Sequence, residues 1–318
     1  MDRIIGRFEG ARAGALVLVF GAVHGNEHAG VKAIETVFRL LESEARSNPD
    51  FVFAGKMVGL LGNLQAYEQH LRFIEKDLNR QWTVDNLNRI RHMQSVDLRA
   101  EDIEMANLYT AICAEITAEK PETVVALDLH TTSADGGIFC IPTDDASSLR
   151  LAKELHAPVI LDLFEGIGGT LLRFATEGHF QSGGFPKQTI GVAFEAGQHD
   201  DPVSVSRSVS GIINCLRAAG CIGPEDFSAR IGTALEQYSE TLPKVTRLRH
   251  VHHIRPGDDF RMRPGYLNFQ PVAEGEHLAD DVTGPVLAPE DGLILMPLYQ
   301  PRGSDGFFIV KPYSSNGL

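Results

Sequence analysis

His24 and Glu27, in the tetrapeptide HGNE, set an imidazole and a carboxylate on either side of two intervening residues. In a turn, that spacing is a short chelate able to place a ring nitrogen and a carboxylate oxygen on one cation. Zinc takes such ligands at ~2.0–2.2 Å, and three protein ligands with one open position is the pattern of catalytic sites. A third ligand is offered by Asp128-Leu129-His130. Side chains alternate along a strand, so Asp128 and His130 point to one side of it. His130 then completes the ligand set, and Asp128 serves as a carboxylate that orients a ligating imidazole. By pattern alone, an HxxE and a strand-end histidine fit hydrogen-bonded surface residues equally well.

What must position these residues is a set of strand ends. Residues 15–20 (ALVLVF) form a continuous apolar run, as in a parallel strand buried on both faces. HGNE follows directly, and Val31, Ile34, Phe38 and Leu41 then mark one face of a helix. Residues 56–61 (KMVGLL), 123–129 (TVVALDL) and 190–194 (IGVAF) read as further strands. Met105, Leu108, Ile112 and Ile116 mark a second helix, closed by Pro121. A third helix, capped by Asp200 or Asp201, carries Val205, Val209, Ile212 and Leu216. Strand–helix alternation predicts an α/β fold with a mostly parallel mixed sheet flanked by helices. In open α/β sheets ligands bind at the carboxyl edge, where both candidate motifs fall. Beyond about Pro224 the texture changes. From Lys244 onward, turn clusters such as RPGDD, EGE and RGSDG break short apolar runs, the pattern of a small all-β barrel or sandwich. The expected division is 1–225 for a catalytic domain and 226–318 for a smaller C-terminal all-β domain docked near the site.

Composition narrows the function classes. In 318 residues, 42 acidic side chains against 29 basic ones give a net charge of −13, with no Lys/Arg-rich stretch. Nucleic-acid and membrane-surface partners are therefore not expected. No apolar run reaches the ~18–20 residues of a bilayer span, and no secretory signal is visible at the start. Four cysteines without a CxxC pair point to neither a disulfide framework nor a zinc ribbon, and to a cytoplasmic, reducing setting. Residues 166–170 (GIGGT) lack the lysine and spacing of a phosphate loop, and no G-x-S-x-G appears.

Four segments then carry a resemblance: HGNE at 24–27, RFIEKDLNR at 72–80, DLHTT at 128–132 and FEAG at 194–197. In this order they resemble the succinylglutamate desuccinylase/aspartoacylase family, which is related to zinc carboxypeptidases. The likeness covers at least residues 15–200, and the β-rich C-terminal region is similar to that family's second domain. It implies a zinc-carboxypeptidase-like fold and one zinc per chain, held by His24, Glu27 and His130. The activity it implies is hydrolysis of the linear amide of a small anionic N-acyl amino acid by zinc-bound hydroxide. In that reading Glu195, at the end of the strand 190–194, is the proton shuttle. Arg72 matches the arginine that stabilises the oxyanion. Asn79 and Arg80 match the pair that holds a substrate carboxylate. Asp77 is assigned to orienting Arg80 or its loop, and Tyr299 matches a tyrosine that the second domain lends to the site.

One stretch departs from the family. Aspartoacylases carry a tyrosine and an arginine shortly before the catalytic glutamate, whereas residues 181–188 here (QSGGFPKQ) have neither. N-acetylaspartate is therefore disfavoured as substrate, with Lys187 or Gln188 expected in an altered pocket wall. His199 is a candidate pocket residue or a helix-cap residue. His250, His252 and His253 are expected on an exposed edge strand. The alternative functions are a zinc carboxypeptidase acting on short peptides and a zinc-loaded but inactive binding protein. The presence of both Glu195 and Arg72 disfavours the second. A homo-oligomer is left open.

Overall fold

The computed structural model describes residues 2–181 and 183–313. Its elements begin with β1 (Ile4–Glu9), β2 (Arg12–Gly21), α1 (His28–Ser47), β3 (Ala54–Leu61), α2 (Leu64–Glu68), α3 (Val84–His92) and α4 (Ala100–Glu119). Then come β4 (Thr123–Thr132), β5 (Phe139–Pro142), α5 (Ala146–Glu154), β6 (Val159–Leu161), α6 (Leu171–Thr176), β7 (Gln188–Gln198), α7 (Val203–Ala218) and α8 (Ala229–Tyr238). The remainder is β: β8 (Val245–His253), β9 (Arg261–Met262), β10 (Gln270–Val272), β11 (His277–Asp281), β12 (Gly284–Leu287), β13 (Gly292–Leu295) and β14 (Asp305–Pro312). The main sheet runs β1-β3-β2-β4-β7-β5-β6-β8-β14-β13-β10, and a small antiparallel sheet runs β12-β11-β9. The central strands β3, β2, β4 and β7 are mutually parallel.

Alternation along β2 explains why this centre is apolar throughout. Leu16, Leu18 and Phe20 join a core on one face, with Met105, Leu108 and Ile112 of α4. Val17 and Val19 join the core on the other, with Ile34 and Leu41 of α1 and Ile212 and Leu216 of α7. With helices over both faces, every central side chain is removed from water, as the run at 15–20 predicts. Helix α4 ends at Lys120 in the left-handed conformation (φ 46°), with Pro121 just beyond it. Asp201 does serve the start of α7: its Oδ1 accepts from the Val203 amide at 3.0 Å, while Pro202 occupies the cap position.

The C-terminal strands stack the small sheet on β10, β13 and β14 around a core of their own, with Val272, Leu278, Ile294, Phe307 and Ile309, yet they are not detached from the main sheet. β8 pairs in parallel with β6 and antiparallel with β14, so the main sheet continues into the C-terminal segment. β6 reaches only residues 245–247 of β8, so the stretch that carries His250, His252 and His253 has β14 on one side alone and forms a local edge, with His253 exposed. His252 stacks on Phe307 at 5.1 Å, and His253 Nδ1 lies 2.9 Å from Asp305 Oδ1. Along β14, Phe308 and Val310 enter the α4-side core, while Phe307 and Ile309 pack with Leu278 of the small sheet.

Candidate active site

At the carboxyl end of β2 the chain turns through residues 22–27 into α1. Gly25 is required there, because a Cβ on it would lie 2.3 Å from the carbonyl carbon of Ala66. Its amide also donates to Arg72 O at 3.0 Å, tying the HGNE turn to the neighbouring loop. The next two strands of the sheet, β4 and β7, place His130 beside Glu195 in register. Ala193 and Glu195 share a face of β7, as Asp128 and His130 share one of β4, so all four groups sit on the α4 side of the sheet.

His24, Glu27 and His130 are 6%, 2% and 5% exposed. One ligand atom of each lies within 4.8 Å of the others, and among the described residues this is the one such group that could hold a metal ion. His24 Nδ1 is 2.8 Å from Glu27 Oε1, and His130 Nδ1 is 2.9 Å from Glu27 Oε2. The far nitrogens face other groups. His130 Nε2 lies 2.9 Å from Asp128 Oδ2, and His24 Nε2 lies 3.2 Å from Asp77 Oδ1 and 2.9 Å from Arg72 Nη2. The Asp128 contact is the partner that a metal-binding imidazole needs, since it fixes the tautomer with Nδ1 turned inward. The Thr131 amide also donates to Glu27 Oε2 at 3.0 Å.

The electrostatics suit a cation. Burial pushes the Glu27 carboxyl up, but His24 and His130 outweigh it and hold the group well below the usual carboxylate range. Burial disfavours charge on His130, yet Asp128 and Glu27 hold its imidazole well above its usual range. A buried anion ringed by nitrogen donors, each with its rear side fixed, fits a divalent metal of zinc's ligand preference.

Glu195 differs from the other carboxylates. It is 7% exposed, and its Oε2 has no hydrogen-bond partner. Burial pushes its carboxyl up to about 7, with His130 opposing and Glu27 reinforcing the shift. A carboxyl poised near neutrality with a free oxygen can take and return a proton.

The segment 72–80 arches over this group on a buried anchor. Glu101 of α4 is fully buried, and its carboxylate accepts from the amides of Ile74 (2.7 Å), Glu75 (3.1 Å) and Lys76 (3.2 Å). Arg72, held above, reaches Asp77 Oδ2 at 3.1 Å and Glu27 Oε1 at 3.6 Å. Burial raises the Asp77 carboxyl, but His24 and Arg72 hold it well below the ordinary range. Asp77 thus touches Arg72 and His24 directly, and it also accepts from the Asn79 amide at 2.9 Å. Asn79 Oδ1 accepts from the Leu171 amide, and Arg80 Nη2 lies 2.6 Å from Asp305 Oδ2 of β14.

One cleft joins these parts: His24, Glu27, His130, Glu195, Arg72, Asn79 and Arg80 all line it. Tyr299 does not. Its hydroxyl accepts from the Tyr266 amide and donates to Arg263 O, and the residue is 38% exposed, while its neighbour Gln300 lines the cleft. Lys187 and Gln188 are also elsewhere, which corrects the expected pocket wall. Lys187 pairs with Glu122 at 2.8 Å and Gln188 with Ser147 at 2.9 Å, at the opposite end of β7 from Glu195. Ser182, within the same stretch, lies outside the described residues. His199 sits behind the site, its Nδ1 2.7 Å from Thr131 Oγ1. Asp305, which lines the cleft, and Glu101, which anchors the segment 74–76, are two carboxylates that sequence reasoning missed. Asp305 lies 225 residues from its partner inside a turn cluster, and nothing local marks Glu101 as more than a first-turn acid.

The family model of the succinylglutamate desuccinylase/aspartoacylase catalytic domain matches residues 13–197. A protein from a Nostoc species described as a probable aspartoacylase is 32% identical over 126 residues, covering 39% of this chain and 38% of its own length. An N-acyl-aromatic-L-amino acid amidohydrolase (carboxylate-forming) B from Danio rerio is 25% identical over 154 residues, 45% of this chain and 43% of its own. These matches therefore span less than half the length of the curated relatives. The fold itself is close to that of a succinylglutamate desuccinylase from Vibrio parahaemolyticus, with TM-score 0.63 and 16% identity over 94% of this chain and 82% of the other.

Proposed function

The chain belongs to the succinylglutamate desuccinylase/aspartoacylase family, and from that premise we propose that it is a zinc-dependent hydrolase of the linear amide bond in small anionic N-acyl amino acids. His24, Glu27 and His130 would hold one zinc per chain, with Asp128 behind His130. When bound, zinc supplies a Lewis acid that polarises the scissile carbonyl and makes water ionisable near neutral pH. Residues 1–225 carry this machinery in our reading, and residues 226–318 close the cleft over it.

The chain's own groups then divide the work. Glu195 accepts the proton of the attacking water on Oε2 as the new C–O bond forms. Arg72 stabilises the charge that develops on the carbonyl oxygen; donors fixed at such a position contribute ~10²–10³-fold. As the C–N bond breaks, Glu195 returns the proton to the leaving nitrogen, which gives a carboxylate and a free amino acid. Asn79 and Arg80 hold the substrate carboxylate, Arg80 through the N–H groups that Asp305 and Asn79 O leave free.

The observation that carries this reading is the unpartnered Glu195 oxygen, raised toward neutrality, in one cleft with the buried His-Glu-His group. Glu195→Gln keeps the shape and removes the proton acceptor. Turnover of N-acyl amino acids should fall by ~10²–10⁴-fold while the zinc content stays unchanged. A Glu195→Gln protein as active as the parent would refute the mechanism.

A further inference from the structure

The cleft is lined by two kinds of side chain. One is the charged group just described. The other belongs to the apolar core on the α4 side of the sheet or packs against it: Ile141, Leu163, Phe164, Ile167, Met296 and Phe308. These side chains come from four separate places: β5, the turn of 3-10 helix at Leu163–Glu165 with its exit, the exit of β13, and β14. An apolar wall assembled from such distant segments is built into the fold rather than left by one loop. The cleft holds about 760 Å³ of atom-free space, its mouth included.

Charge tells the same story from the other side. Apart from the two histidines of the metal group, the cations among the described lining residues are Arg72 and Arg80. Each already faces a carboxylate, Arg72 that of Asp77 and Arg80 that of Asp305. Asp305 itself lines the cleft. One substrate carboxylate can share Arg80, but a second finds no further cation among the described lining residues, only Asp305, the apolar wall and neutral donors such as Thr131, Ser133 and Gln300. An unpaired carboxylate in such surroundings is strongly disfavoured.

Resting on the deacylase reading above, we infer that this site selects substrates with a single carboxylate and a hydrophobic arm, seated against Ile141, Leu163, Phe164, Ile167, Met296 and Phe308, and rejects dicarboxylic ones. The arm is either the acyl chain or the amino-acid side chain, and both present the same chemistry to the wall. Burial of an arm of phenyl or hexanoyl size corresponds to about 10–100-fold in specificity.

The test is a kcat/KM panel on the zinc-loaded protein with N-acetyl-L-phenylalanine, N-hexanoylglycine, N-acetylglycine, N-acetyl-L-aspartate and N-succinyl-L-glutamate. The expected result is that one or both hydrophobic substrates exceed N-acetylglycine by about 10–100-fold, with the two dicarboxylic substrates lowest. Which of the first two leads tells whether side chain or acyl chain occupies the wall. Ile167→Lys should erase the preference and Ile167→Val should keep it. Preference for either dicarboxylic substrate overturns the inference and leaves the deacylase reading standing. Turnover of none of the five overturns the deacylase reading instead. Calorimetric binding to the Glu195→Gln protein then decides the inference separately. Tighter binding of N-acetyl-L-phenylalanine than of N-acetyl-L-aspartate supports it, and equal or absent binding overturns it.

Discussion

At the residue scale, Asp305 alters what the matched motifs alone would imply. Arg80 is placed to hold a substrate carboxylate, yet its Nη2 already lies 2.6 Å from Asp305, whose other oxygen faces His253. A carboxylate entering the cleft therefore shares its cation with a resident anion. Asp305→Asn keeps an oxygen for Arg80 to donate to and removes that negative charge. The KM for N-acyl amino acids should then fall by about 3–10-fold, most for dicarboxylic ones, since unit charges at such range interact by a few kcal/mol before screening. A raised KM across the panel would mean that Asp305 serves mainly to hold Arg80 in place. Little of this was legible in the sequence. His24, Glu27 and His130 stand out as candidate ligands because residue types able to bind a metal are few and both motifs fall at expected strand ends. Arg72, Asn79 and Arg80 have no local signal, and only the order of the four segments singled them out. Asp305 meets Arg80 through tertiary folding alone, and its RGSDG context reads as a turn.

At the scale of elements, the segment 72–80 is irregular but not loose, because one buried carboxylate gathers three consecutive amides. Glu101→Ala would leave the amides of Ile74, Glu75 and Lys76 without their acceptor. A buried group stripped of its partner costs ~1–3 kcal/mol. The expected outcome is a stability loss of about 2–4 kcal/mol in urea unfolding. Hydrogen-exchange protection should be lost at residues 74–76, and turnover should drop as Arg72 loses its seat. Unchanged exchange at those amides would show that the segment is held by other contacts. The long elements were legible because periodicity accumulates with length. α1, α4 and α7 each expose several turns of one apolar face, and β2, β4 and β7 are continuous apolar runs flanked by partners on both sides. β5, β6, α2 and α6 are too short for a period to emerge. The misplacement of Lys187 and Gln188 has a geometric origin. Nearness in sequence to Glu195 suggested nearness in space, but a strand rises ~3.3 Å per residue, and seven residues of β7 carry Gln188 ~23 Å away.

At the scale of the whole molecule, the cleft is a joint product of both halves of the chain. The parallel strands bring the His-Glu-His group and Glu195 to one sheet edge. The C-terminal segment, joined to the same sheet through β6 and β8, contributes Asp305, Gln300, Met296 and Phe308 to the cleft lining. Texture along the sequence located the all-β segment, but pairing between β6 and β8 spans more than eighty residues and left no local trace. With a net charge of −13 the molecule as a whole disfavours anions, so any anionic substrate depends on the few cations gathered here. The chemistry proposed for this arrangement hangs on the metal. The most direct measurement is elemental analysis of the purified, untagged chain beside its His24→Ala and His130→Ala variants, with circular dichroism to establish that each is folded. One zinc per chain in the parent, and loss of nearly all of it in each folded variant, is the result this account predicts; full zinc stoichiometry in either variant would contradict it.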